Sequence, residues 1–159
     1  MLPSAFTPSS RETKFETGQV MIARIDQAGR FTDANEGFLQ GRGLSSRELL
    51  GRTYETLSHP EMPACIYVGI WEKLRSGEDV FAYLLTTTKQ GERIWELAYL
   101  APNYDAQGRS DGYLVTHRRA DPGEIAQIEP FYRKIRKLES HDPDAAPQQD
   151  KADAIAHAA

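Results

Sequence analysis

The residues of this chain best suited to chemistry lie in one short run, Ser58-His59-Pro60-Glu61-Met62-Pro63, followed by an amphipathic segment centred on Trp71. Two prolines bracket a histidine, a carboxylate and a methionine at the mouth of a predicted helix. Ionisable groups thus stand beside an apolar surface, where a buried ligand could use them. A histidine there can hydrogen-bond a phosphate or a ring, or ligate iron; it can equally cap two turns. Glu61 can contact a ligand or, just ahead of a helix, stabilise the positive end of its dipole. Trp71 shares a helical face with Tyr67, Ile70 and Leu74, so it is either core or a stacking surface. Asn35 is a ligand contact or the polar residue that starts a helix.

A further carboxylate stands out by alternation. In the strand-like run 94–101, one face carries Trp95, Leu97 and Tyr99, and the other carries Ile94, Glu96, Ala98 and Leu100. Both faces are largely apolar, so both need covering. No Ser-His-Asp nucleophile set, phosphate loop or metal cluster stands out, so no enzyme is expected. The single cysteine, Cys65, excludes an internal disulfide framework and any CxxC site.

The elements that must position these residues follow from length and pattern. A chain of 159 residues is one domain by size. A formal charge of -4 argues against a nucleic-acid binder. No apolar run approaches the roughly 20 residues of a membrane span, and the start lacks the apolar stretch of a signal peptide. The expectation is a cytoplasmic domain without membrane insertion. Residues 1–17 are polar and rich in Ser, Thr and Pro, predicting a loose arm, and 140–159 predict a disordered tail.

Between them, Val20, Ile22 and Ile25, a turn at Gly29, then Arg30-Phe31-Thr32 predict a hairpin. Asp33 and Glu36 have capping-box spacing before a short helix, and Ser45 and Glu48 repeat the device before a second. After Pro63 a third helix runs to Ser76-Gly77. Strands are predicted over 80–88, 93–101 and 112–117, with turns at Gln90-Gly91 and Gln107-Gly108. Asp121-Pro122 then opens a last helix over 122–139, striped by Ile125, Ile128, Phe131, Ile135 and Leu138, with Pro130 predicting a kink or break. Its basic run, Arg133 to Lys137, reads as a solvated face.

Several runs resemble the PAS domain family. Ile25-Asp26-Gln27-Ala28-Gly29-Arg30-Phe31 is similar to its opening hairpin, and Ala34-Asn35-Glu36-Gly37-Phe38 to the entry of its first helix. Ser46-Arg47-Glu48-Leu49-Leu50-Gly51 and Gln90-Gly91-Glu92-Arg93-Ile94-Trp95 resemble two more of its elements. Within the family, His59-Pro60-Glu61-Met62-Pro63 with Trp71, and 124–132, resemble the PAS domain of aerotaxis receptors. Ser58 stands where that subgroup has arginine, Glu61 where it has aspartate, and Thr86 where flavin-binding members often have Asn. The segment matching the photoreactive cysteine motif reads Thr53-Tyr54-Glu55-Thr56-Leu57, so flavin–cysteine photochemistry is not expected.

The resemblance implies an α+β fold over 18–121: a five-stranded antiparallel sheet with short helices on one face, plus the added C-terminal helix. It implies a stand-alone sensor that binds FAD or a similar planar cofactor, with Asn35, His59, Glu61, Trp71, Thr86 and Glu96 as contacts. In that arrangement Glu96 and Thr86 point inward beneath the helices. A buried carboxylate must find a donor or take up a proton, so Glu96 is a ligand contact or a partner of His59. Signalling then passes by contact to a receptor or kinase, or by self-association through the face of Trp95, Leu97 and Tyr99. The alternatives are a cofactor-free PAS interaction module, and a haem gas sensor with His59 as axial ligand.

Overall fold

Alternation along five runs decides the sheet. In the computed structural model, which describes residues 20–141, β1 (Met21–Ile25) and β2 (Phe31–Ala34) form the opening hairpin. β3 (Val80–Thr87), β4 (Arg93–Tyr104) and β5 (Ser110–Arg119) form a meander. The order is β2-β1-β5-β4-β3, with every neighbouring pair antiparallel. The expected arm, 1–17, and the expected tail beyond residue 141 lie outside the described residues.

Register fixes which side chains face the same way. Ala82, Ala98 and His117 are cross-strand partners with Met21, and all four are buried. One residue along, Phe81, Tyr99, Thr116 and Ile22 form a row on the opposite face. The inner face carries the core together with α1 (Glu36–Gln40), α2 (Ser46–Leu49), a 3-10 turn (Tyr54–Leu57) and α3 (Ala64–Arg75). Two glycines are required by geometry. Gly112 has φ +89, and a Cβ there would sit 2.2 Å from the Ile25 carbonyl oxygen. Gly29 has φ +80 and a Cβ would press on the Trp71 ring at 3.2 Å.

The first helix starts from Asn35, not from Asp33 as its spacing predicts. Asp33 belongs to β2, while Asn35 Oδ1 accepts from Phe38 N and also from Ile22 N, tying helix to strand. Ser45 and Glu48 form the expected reciprocal box.

The last helix, α4 (Pro122–His141), runs unbroken across Pro130 and two residues past its predicted end. Its start is a reciprocal cap between Asp121 and Glu124. Ile128, Tyr132 and Ile135 are its buried residues, the two isoleucines contributing about 1.5–3 kcal/mol each by burial. Tyr132 donates to the Tyr83 carbonyl and its ring lies 5.5 Å from that of Trp95. The helix therefore covers one end of the outer sheet face. That docking outweighs the carbonyl of Ala126, which Pro130 cannot serve. Among the described residues, no helix is long and apolar enough to cross a membrane.

Candidate functional site

A charged cluster lies inside the domain between the sheet and the helices. Arg42, Glu96 and His117 are 0, 1 and 2% exposed. Arg42 Nη2 is 2.5 Å from Glu96 Oε2 and 2.8 Å from His117 Nδ1. His117 Nδ1 is 3.1 Å from the same carboxylate oxygen, and Thr86 Oγ1 donates to it at 3.0 Å. On the far side of the imidazole, Nε2 is 2.7 Å from the Tyr54 hydroxyl. Arg42 Nη1 donates to the Phe38 carbonyl, and the guanidinium lies 3.9 Å over the Phe38 ring.

Each member comes from a different element. Glu96, Thr86 and His117 face inward by strand alternation on β4, β3 and β5. Tyr54 comes from the 3-10 turn. Arg42 sits between Gly41 and Gly43 after α1, and its carbonyl accepts from Lys89 N of the β3–β4 hairpin. That bond fixes the backbone from which the guanidinium reaches inward.

Buried charges on this scale need pairing, because removing an ion from water costs several kcal/mol. Burial works against the Glu96 carboxylate, but the Arg42 guanidinium is the largest influence opposing it, and the carboxyl is held ionised far below its usual range. Burial lowers the proton affinity of His117, with Glu96 opposing. Burial likewise pushes the Tyr54 phenol well above its ordinary value.

The six residues singled out in the sequence fall on different sides of the fold. Thr86 and Glu96 meet in the cluster. Asn35 is exposed, and its amide is taken up by Ile22 N, Phe38 N and the Val20 carbonyl. Trp71 donates to Glu55 at 2.5 Å and packs against the rings of Tyr54 and Tyr113. The segment at His59 lies along the free edge of β3, where Ser58 bridges to Thr86 and His59 N donates to the Leu85 carbonyl. The His59 ring is half-buried, and Nδ1 accepts from Glu61 N. Burial lowers its pKa, and Arg93 lowers it further. The partners of Glu96 are therefore Arg42 and His117 and not His59. Glu61 points outward to Arg93 at 2.8 Å and Arg136 at 3.8 Å.

That outward placement ties the motif to α4. Arg93 also pairs with Glu129, and Glu139 accepts from Ala64 N and Cys65 N, capping α3 where Pro63 offers no side chain. At the other end of α4, Glu124 receives Tyr83 and two bonds from Arg118.

Sequence reasoning missed Arg42, Tyr54 and His117. His117 had a signal, since Tyr113, Val115 and His117 alternate on one face. Arg42 had none: a lone arginine between two glycines belongs to no periodic pattern.

Two surface clefts flank the core. One, of about 280 Å³, is lined by Leu44, Leu49 and Leu57 with Arg52, Thr88 and Lys89. The other, of about 340 Å³, lies beside Arg75, Tyr104 and Tyr113. Among the described residues, no group of acids, histidines and cysteine is placed to hold a metal ion.

A family model described as the PAS fold matches residues 15–120. The aerotaxis receptor of Escherichia coli (strain K12) is 28% identical over 127 residues, which is 80% of this chain and 25% of the receptor. Biofilm dispersion protein BdlA of Pseudomonas aeruginosa is 35% identical over 91 residues, 55% of this chain and 22% of that protein. The chain thus spans about a quarter of the length of these curated relatives. A light-oxygen-voltage domain solved in work on a flavin analogue superposes with a TM-score of 0.61 at 25% identity, over 70% of this chain and 83% of that one. With the sheet order and inward helices described above, this chain belongs to the PAS family.

Proposed function

We propose that the chain is a cytoplasmic sensory PAS domain, that it holds a flavin of the FAD type, and that it signals to another protein through α4. The observation that carries this reading is the buried cluster itself. A planar ring with a hydrogen-bonding edge asks for donors and acceptors on one wall and apolar groups on the other. Glu96, Thr86, His117, Tyr54 and Arg42 supply the first, and Phe38, Leu49 and Ile66 belong to the surrounding core. Arg42 Nε is buried without a hydrogen-bond partner, so one donor stands ready for an acceptor. The donor chemistry therefore fits a flavin ring. Arg52 and Lys89 in the cleft beside Leu49 and Leu57 suit its phosphates. A bound flavin supplies reversible redox chemistry that changes charge and protonation at its ring.

The six sequence-derived residues then divide in role. Thr86 and Glu96 face the ring. Asn35 and Trp71 hold the elements around it, and His59 and Glu61 link the edge of β3 to α4. Support comes also from the relatives, an aerotaxis receptor and a domain studied with a flavin analogue.

A second reading, a cofactor-free interaction module, is favoured by one observation: apart from Arg42 Nε, the charged and polar groups of the cluster already bond one another. In that case the outer face carries the function. Phe81 and Tyr99 stack at 4.6 Å, and with Leu97 they extend the surface beyond α4, where a second copy or a signalling partner would dock.

The absorption spectrum of protein purified under mild conditions tests both. Flavin bands, with the chromophore released stoichiometrically on denaturation, support the first reading and refute the second. Folded, colourless protein that takes up no added FAD refutes the first. A strong Soret band would restore the haem alternative through His59. If flavin is present, His59→Ala reduces its retention only if the β3 edge governs the pocket; unchanged retention removes His59 from the site.

A further inference from the structure

Arginine donates hydrogen bonds and never accepts them. Taken as a hydrogen bond, the 2.8 Å contact of Arg42 Nη2 with His117 Nδ1 needs a lone pair on Nδ1, whereas an Nδ1–H donated to Glu96 at 3.1 Å would leave that contact unbonded. In that tautomer the ring proton sits on Nε2 and is donated to the Tyr54 oxygen at 2.7 Å. Glu96 Oε2, 3.1 Å from the same Nδ1, is a second acceptor facing the first. The bridging Nη2 of Arg42, 2.5 Å from the carboxylate, holds the two together. A proton on Nδ1 reverses this arrangement. The imidazolium donates to Glu96, while its new N–H confronts the guanidinium N–H. Arg42 and a protonated His117 cannot keep the present contact.

We infer that His117 is a proton-operated switch inside the domain: uptake of one proton from solvent turns Nδ1 from the acceptor of Arg42 into a donor to Glu96, and displaces the Arg42 guanidinium. No bound ring enters this step, so it stands apart from the flavin reading. The charged and titratable groups that face the imidazole come from every packed element. They are Arg42 after α1, Tyr54 from the 3-10 turn with Tyr67 of α3 behind it, and Glu96 from β4, with Arg119 acting on that carboxylate from the end of β5. Thr86 of β3 reaches the node through Glu96. Burial sets the direction of titration, placing it below the ordinary 6.5 of a histidine.

The switch adjoins the root of α4. Arg118, next to His117 on β5, points outward and grips Glu124 of α4 at 3.0 and 2.6 Å. Trp95, next to Glu96 on β4, packs its ring at a tilt against Tyr132 of α4, and its indole N–H is buried without a hydrogen-bond partner. A shift of β4 against β5 at the cluster therefore moves both attachments of the helix.

The test uses the full-length protein with labelled histidine, followed by NMR against pH. At neutral pH the expected state of His117 is the Nε2–H tautomer. Below a midpoint under 6.5 it becomes doubly protonated in a molecule that keeps its fold. Between pH 6.5 and that midpoint, amide exchange in α4, corrected for its intrinsic rate, rises by up to about tenfold per pH unit and levels off below it, as linkage to one proton requires. The rise persists in His59→Ala and His141→Ala and is absent from His117→Phe. An Nδ1–H tautomer at neutral pH overturns the inference, even if His117→Phe fails to fold. So does a titration that leaves α4 exchange unchanged, or an equal rise in His117→Phe.

Discussion

Replacing Arg42 by methionine leaves the Glu96 carboxylate, 1% exposed, with Thr86 and His117 beside it and without its one directly paired guanidinium. Removing one partner of a buried pair costs about 3–5 kcal/mol, because the other charge stays in place without compensation. A single domain is stable by only about 5–15 kcal/mol, so the loss is a large share of the total. Glu96→Leu is expected to cost a similar amount by stranding the guanidinium. The double variant Arg42→Met/Glu96→Leu removes both charges and is expected to come within about 2 kcal/mol of the wild type, since apolar replacement of a whole buried pair is often neutral.

Urea unfolding of the four proteins gives the coupling energy directly, with unchanged slopes as the check that the unfolded state is shared. The pH dependence adds a sign. In the wild type the folded pKa of Glu96 is depressed, so the pair's contribution is complete above the ordinary carboxylate value of 4.5 and is lost as pH falls below it. In Arg42→Met the strongest influence opposing burial is gone, so that pKa rises relative to the wild type and protonation relieves the variant on acidification. The gap between wild type and variant therefore narrows as pH falls. Two single variants that each lose under about 1 kcal/mol and add in the double would refute a coupled buried pair.

Glu139→Ala removes the acceptor for two backbone N–H groups at the start of α3 and is expected to cost about 0.5–2 kcal/mol. Exchange at Ala64 and Cys65 should rise first; protection unchanged there would place the cap elsewhere. Gly112→Ala forces a Cβ against the Ile25 carbonyl at positive φ, and thermal unfolding should show a loss of at least about 1–3 kcal/mol. A melting point equal to wild type would show that β5 shifts freely. Tyr99→Glu should move a dimer toward monomer in sedimentation. No shift would leave the outer face to α4 alone. Acidification from neutral should also lower stability below 6.5, because His117 takes a proton more readily unfolded than folded; His117→Phe should flatten that part of the curve.

The order of elements was legible because it depends on local chemistry. Periodicity marked α3 and the strands, Ser45 with Glu48 and Asp121 with Pro122 marked helix starts, and Gly29 marked the first turn. Misreadings were local competitions that a tertiary contact settled. Asp33 lost the cap to Asn35 because only Asn35 can also take the N–H of Ile22 across the hairpin. Pro130 did not break α4, because Tyr132 and Ile135 on one side and Ile128 on the other are anchored against the sheet.

His59, Glu61 and Trp71 marked, within the family, the likeness to aerotaxis-receptor PAS domains. They did not tell where the interior chemistry lies. Strand alternation alone turned Glu96 and Thr86 inward, because a period of two fixes the face of every residue on a paired strand. What Glu96 would meet there was decided 54 residues away in the chain, by an arginine between two glycines with no pattern of its own. A carboxylate in a core must have a partner, so the sequence required one for Glu96. Only the packing of loop against sheet could choose Arg42 and His117 over His59, since that choice depends on distances that no local spacing encodes.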